Sequence, residues 1–304
     1  MRNATFVTIV ITAILLTFLS ACALSPRPPT HTPPTMQAVA TPMAITTATN
    51  PYSNRSEEEL AALIVDTAGQ IEDIFESTIL ATGTVIAGDG LTDEIRSELP
   101  LTLQTIKKER SSFEQAVRMY NERFTALSPD SGSQITTIAD EFDTASTSID
   151  DLISEIGSDS EIDPDTIDKL EEIWAKLDFA SNVRAWQEQV LTQIDLRETY
   201  YMNIQPQLGH VAYNRVEAFI QAHDYVQAVQ DAFDDGIFTP EELIKISQTA
   251  ANAEASLFNT GDPQLFGYAQ TIDRLTRNIV RGDWANASDE IEHLRLSLPA
   301  RPQP

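Results

Sequence analysis

Three places in this 304-residue sequence bring together residue types that can do chemistry. The first is a twelve-residue stretch with oxygen-bearing side chains at Asp231, Asp235, Thr239 and Glu242 and a glycine, Gly236, in its middle. Calcium takes about six to eight oxygens, and a loop of this length can supply most of them. The third position, where a further oxygen would be wanted, is Phe233. The second place is Glu290-Ile-Glu-His293, a carboxylate and an imidazole one helical turn apart; a metal centre on helices needs a second such pair, and the sequence has none. The third is Cys22, the only cysteine. A single thiol excludes a disulfide framework and a cysteine-rich zinc site.

What surrounds Cys22 points to its use. Met1-Arg2 is followed by an apolar run from Ala4 to Phe18, broken only by threonines. That is short of the roughly 20 residues a spanning helix needs, and a charge, a short apolar core and small residues in succession are the layout of an export signal. The run ends in Leu19-Ser20-Ala21-Cys22. These four residues resemble the lipobox of bacterial lipoproteins. The resemblance implies recognition by signal peptidase II through Leu19, Ser20 and Ala21, and cleavage before Cys22. It also implies a diacylglyceryl group on the Cys22 thiol, with palmitate-type acylation of the new amine. Residues 1–21 are then a signal peptide, and the mature chain is held to a membrane by lipid on Cys22. At about 0.8 kcal/mol per buried methylene, one acyl chain holds marginally and two or three hold stably.

Residues 22–54 read as a spacer. Pro26, Pro28, Pro29, Pro33, Pro34, Pro42 and Pro51 are interleaved with threonine and alanine, without glycine or any acid. Such a segment cannot bury enough apolar surface to offset the entropy of ordering. Extended as polyproline II, it reaches on the order of 90 Å. All 46 acids, against 18 of the 20 bases, fall beyond it, so the remainder carries a net charge of −28. Phosphates would be repelled, which excludes nucleic acid as a partner.

From Ser56 onward apolar residues recur at spacings of three and four. One stripe includes Leu60, Ile64, Ile71 and Phe75; others run Phe113, Val117, Tyr120, Phe124 and Ile135, Ile138, Phe142. No segment alternates with period two. These patterns predict an all-α fold of about eight helices, near 56–82, 92–128, 132–156, 164–205, 210–234, 240–259, 263–281 and 284–298. Pro100 is expected to kink the second helix or split off its first turns. Glycines punctuate the boundaries, and Asp163-Pro164, Thr239-Pro240 and Asp262-Pro263 mark helix starts. Residues 55–205 are expected to form a long antiparallel four-helix bundle with coiled-coil-like packing. Two shorter hairpins over 206–304 extend it.

The stretch 231–242 resembles an EF-hand loop, in which Asp231, Asp235, Thr239 and Glu242 would ligate Ca²⁺ and Phe238 would fill the apolar position. Without an ion the same residues make a capped helix–turn–helix, with Gly236 ending one helix and the capping box Thr239-Pro240-Glu241-Glu242 starting the next. The aromatics between Trp174 and Phe238 are expected mainly to fill the junction of bundle and hairpins. Gly282-Asp-Trp284-Ala-Asn-Ala287 resembles the opening of the second helix of a tetratricopeptide repeat, but the period does not recur. Common nucleophile, phosphate-binding and zinc-protease patterns are absent.

The sequence thus leads to a lipid-anchored extracytoplasmic protein with a non-enzymatic helical interaction or scaffold domain and no cofactor. It would contact an envelope protein, on the outer face of the cytoplasmic membrane or on the outer membrane. The alternatives are a calcium-responsive helical module and an envelope enzyme without a recognisable site.

Overall fold

The structure is a computed structural model and describes residue 52, residues 54–86, 93–158, 168, 172, 178–234 and 236–302. Its described residues form eight helices and no strand. They are α1 (Glu57–Ile86), α2 (Asp93–Phe124), α3 (Pro129–Ser158), α4 (Phe179–Met202), α5 (Arg215–Phe233), α6 (Pro240–Asn259), α7 (Pro263–Val280) and α8 (Trp284–Ser297). The first four pack in a ring: α1 against α2 and α4, and α3 against the same two. This is the antiparallel four-helix bundle. The last four close a second ring, in which α5 meets α6 and α8, and α7 meets the same two. The two hairpins are therefore stacked on each other, and α4 joins the rings by also touching α6 and α7.

Local chemistry sets the helix ends. The Ser56 hydroxyl accepts from the Glu59 amide at 3.1 Å and the Glu59 carboxylate accepts from the Ser56 amide at 3.0 Å, a capping box at the start of α1. Thr239 and Glu242 make the same reciprocal pair before α6. Asn214 and Asp262 cap α5 and α7. Asp163 lies outside the described residues.

Several helix limits differ from expectation. α3 begins at Pro129, so Gly132 sits in its first turn, where a Cβ would fall 2.5 Å from the Thr125 hydroxyl. α2 is not split at Pro100 but runs through it. α5 begins at Arg215, because residues 210–214 belong to a non-helical strap that follows α4. The expected helix 164–205 is not continuous: Asp178 adopts the left-handed conformation (φ 35°, ψ 41°) and α4 starts after it. The turn delivers Phe179 into the bundle, where it stacks on Phe142 at 4.2 Å and meets Phe113 edge-on at 5.1 Å. That contact offsets an uncommon backbone state.

The rings meet across aromatic and ionic contacts. Trp186, Tyr120, Phe124, Trp284, Phe238 and Phe233 form a chain of touching rings from the bundle into the second ring, with successive centroids between 4.7 and 5.6 Å apart. Beside it, Arg197 of α4 is paired with Glu57 of α1, both side chains almost wholly buried. The pair is hydrogen-bonded all round. Arg197 Nε donates to the Val280 carbonyl at 2.6 Å and Nη1 to the Ser128 hydroxyl at 3.2 Å. The Tyr120 and Ser128 hydroxyls donate to Glu57 Oε1 at 3.1 and 3.3 Å. Burial, then the charge of Glu57, pushes the Tyr120 phenol far above its ordinary value, so it remains a donor. Gly282 closes against this cluster. Its φ is +82°, and a Cβ there would lie 3.0 Å from both the Glu57 Cβ and the Phe124 ring.

Candidate functional site

A cavity of about 240 Å³ opens where the end of α4, the strap that follows it, α6 and α7 converge. The strap, residues 203–214, is non-helical, turns at 207–210, and is tied to α6. Three α6 side chains spaced by four residues, and so aligned on one face, hold it there. Gln248 donates to the Gln205 carbonyl at 2.9 Å, Asn252 accepts from the Gln207 amide at 2.7 Å, and Ser256 accepts from the Ala212 amide at 2.8 Å. Non-helical backbone is thereby satisfied under cover, as burial requires. Ile204 and Pro206 of the strap form one wall of the cavity, and Tyr201, Met202 and Phe258 extend it.

The other walls are small or polar. Ala250, Ala251 and Ala255 of α6 leave room beside Glu254, and Asp273 and Thr276 face them from α7. Burial, with the charge of Asp273 added, pushes the Glu254 carboxyl up to about 7, against the opposing pull of Arg277. Glu254 is therefore about half protonated near neutrality. Ser247 also lines the cavity; it is buried, and among the described residues its hydroxyl finds no hydrogen-bond partner. Other helical hydroxyls here, among them Thr67, Thr136, Thr192 and Thr249, donate to the carbonyl four residues back. An unsatisfied buried hydroxyl costs about 1–3 kcal/mol.

A polar groove adjoins the cavity through Met202 and Asp273 and is lined further by Asp195, Glu198 and Arg277. Glu198 pairs with Arg277 and with Arg281, the latter at 2.6 Å. Partial burial works against ionisation of Glu198, but the hydrogen bonds from Arg281 and Arg277 hold its pKa below the ordinary carboxylate value. Together the two concavities offer an acidic, hydrogen-bonding wall next to an apolar one.

The residues singled out by sequence fall elsewhere. Leu19, Ser20, Ala21 and Cys22 lie outside the described residues, as does Asp235. In the 231–242 turn, Gln227 and Lys245 bond to the Asp231 carboxylate at 2.6 and 3.2 Å and hold its pKa below the ordinary value. Glu242 Oε2 accepts from the Thr239 amide and hydroxyl at 2.8 and 2.9 Å. Gly236 has φ +73°, and Phe233 packs edge-on against Phe238. Glu290 is bonded to Arg274 at 3.1 Å, while His293 is exposed. Among the described residues no three His, Cys, Asp or Glu side chains are grouped as metal ligands, and no helix is long and apolar enough to cross a membrane. Sequence reasoning did not single out Ser247, Glu254 or Asp273. The available signal was a lone carboxylate among alanines, Ala250-Ala-Asn-Ala-Glu254-Ala. No protein-family model, curated protein or solved structure matches the chain.

Proposed function

We propose that this chain is a lipid-anchored protein of the bacterial cell envelope whose helical domain binds rather than catalyses. The observation that carries the anchor is the register of Leu19-Ser20-Ala21-Cys22: the one thiol of the chain stands where lipid attachment requires it. About thirty proline- and threonine-rich residues then separate Cys22 from the start of α1 at Glu57, enough to hold the domain off a lipid surface. An interaction role for the domain is supported by where large apolar side chains are exposed. Leu208, Tyr213, Val216, Phe258 and Leu296 are among them in the strap and the second ring, with Leu196 and Tyr200 on α4 and Leu101 on α2; Leu208 is fully exposed and Tyr213 78% exposed. Exposed aromatic and large aliphatic side chains are the groups that contacts with other proteins use.

The test is metabolic labelling with palmitate in a bacterial host, combined with a photo-crosslinking residue at position 213 or, on the bundle, at position 118. Label is expected on the wild type and absent from Cys22→Ala. Discrete adducts are expected from position 213 and not from 118. Label that survives Cys22→Ala overturns the anchor, and equal crosslinking at the two positions overturns the binding face.

A further inference from the structure

We propose that the cavity between α4, the strap, α6 and α7 is a binding site for an organic cation, a protonated amine carried on an apolar body. The inference is independent of how the chain is anchored. Glu254 and Asp273 reach the cavity from two different helices, so a cation between them meets negative charge on both sides. Arg277 makes its ion pairs with Glu198 and, at 3.6 Å, with Asp273, and acts on Glu254 only from beyond ion-pair distance. Ser247 supplies the second mark of a ligand: a buried hydroxyl on the same wall that no group among the described residues satisfies. An ammonium N–H would satisfy it while the carboxylates accept the others.

The rest of the lining sets the class of body. Ile204, Pro206 and Phe258 are apolar, and the alanines of α6 provide a shallow floor. A bare metal ion is a poor match, because two carboxylates and one hydroxyl fall short of the about six oxygens a hard cation takes. An anion would face Glu254 and Asp273 directly. In the adjoining groove the acids Asp195, Glu198 and Asp273 outnumber the lining base Arg277, even with Arg281 paired to the first two, and in a chain whose net charge is −26 such a field draws cations in. The roof is fixed rather than improvised, since Gln248 and Asn252 bind the strap on either side of Pro206. The charged and titratable groups packed around Glu254 are Asp273 and Arg277 from α7 and the buried Tyr225 phenol from α5, with Tyr201 of α4 across the cavity.

Isothermal titration of the full-length chain in a nonionic detergent tests the assignment. The probes are phenethylamine and tryptamine, both protonated between pH 6 and pH 8, and 3-phenylpropionate as the anionic counterpart. At least one amine is expected to bind saturably with one equivalent, and 3-phenylpropionate is not. Amine affinity should rise by up to about tenfold from pH 6 to pH 8 as Glu254 gives up its proton. Glu254→Gln should lower affinity at pH 8 by about tenfold and flatten that rise, and Ser247→Ala should lower it by about threefold, with far-UV circular dichroism unchanged. Asp273→Asn, on the opposite helix, gives the same loss of affinity and serves if Glu254→Gln does not fold. Binding of neither amine, equal binding of amine and propionate, or wild-type affinity in the carboxylate variants would overturn the proposal.

Discussion

The two helical rings are built from the same kind of element but filled differently. In the bundle the largest buried side chains are Phe75, Phe113, Tyr120, Phe124, Phe142, Phe179 and Trp186. In the second ring eight buried alanines, Ala218, Ala222, Ala228, Ala232, Ala250, Ala253, Ala269 and Ala287, stand among aliphatic side chains such as Leu243, Ile246, Ile272 and Leu275, with Phe219, Tyr225, Phe238 and Trp284 as the buried rings. Bulky rings interlock and fix the distance between long helices. Alanines let backbones approach closely, but they cannot reach across a gap where helices diverge. On α6 the cavity is walled by Ala250, Ala251 and Ala255, and these small side chains leave the hollow open.

Removing what joins the two halves should have the largest effect. Arg197→Ala leaves Glu57 buried and unpaired and is expected to cost about 3–5 kcal/mol in urea denaturation. Replacing both partners, as Glu57→Leu with Arg197→Met, should recover most of that loss. If Arg197→Ala instead leaves the midpoint unchanged, the halves do not depend on this joint. Next in size, Ala253→Leu tests whether the alanine filling is tight. It should destabilise by about 1–3 kcal/mol through overpacking, and no loss would mean that the second ring is loosely filled. The smallest effect concerns the turn within the second ring. Thr239→Ala should cost about 1 kcal/mol through loss of its cap. Millimolar calcium should raise the wild-type melting temperature no more than magnesium does; a calcium-specific rise that disappears in Asp231→Ala would turn the cap into an ion site.

The sequence made most of this architecture legible wherever an end was marked by its own residues. Thr239-Pro240 and Asp262-Pro263 place α6 and α7 to within a residue at each end, because a cap and a following proline are local signals. The start of α4 was missed because Asp178 has no such signal. Its left-handed turn is stabilised by Phe142 and Phe113, 36 and 65 residues away in the chain. The strap was missed for a related reason: Asn252 and Ser256 read as helix surface until the segment they hold is seen over them. The cavity was less legible still. Among 46 acids Glu254 does not stand out, and only folding brings Asp273 opposite it.

The comb formed by Gln248, Asn252 and Ser256 has a consequence for how this sequence can diverge. An insertion or deletion of one residue between them turns every later tooth by about 100° around the helix and takes it off the strap. The stretch 248–256 therefore tolerates substitution more readily than any change in length. The opposite holds at the strap's outer bend, where Leu208 is fully exposed and Gly209 turns the chain with φ +84°. Lineages of this sequence should accumulate gaps at 208–210 and keep α6 in frame.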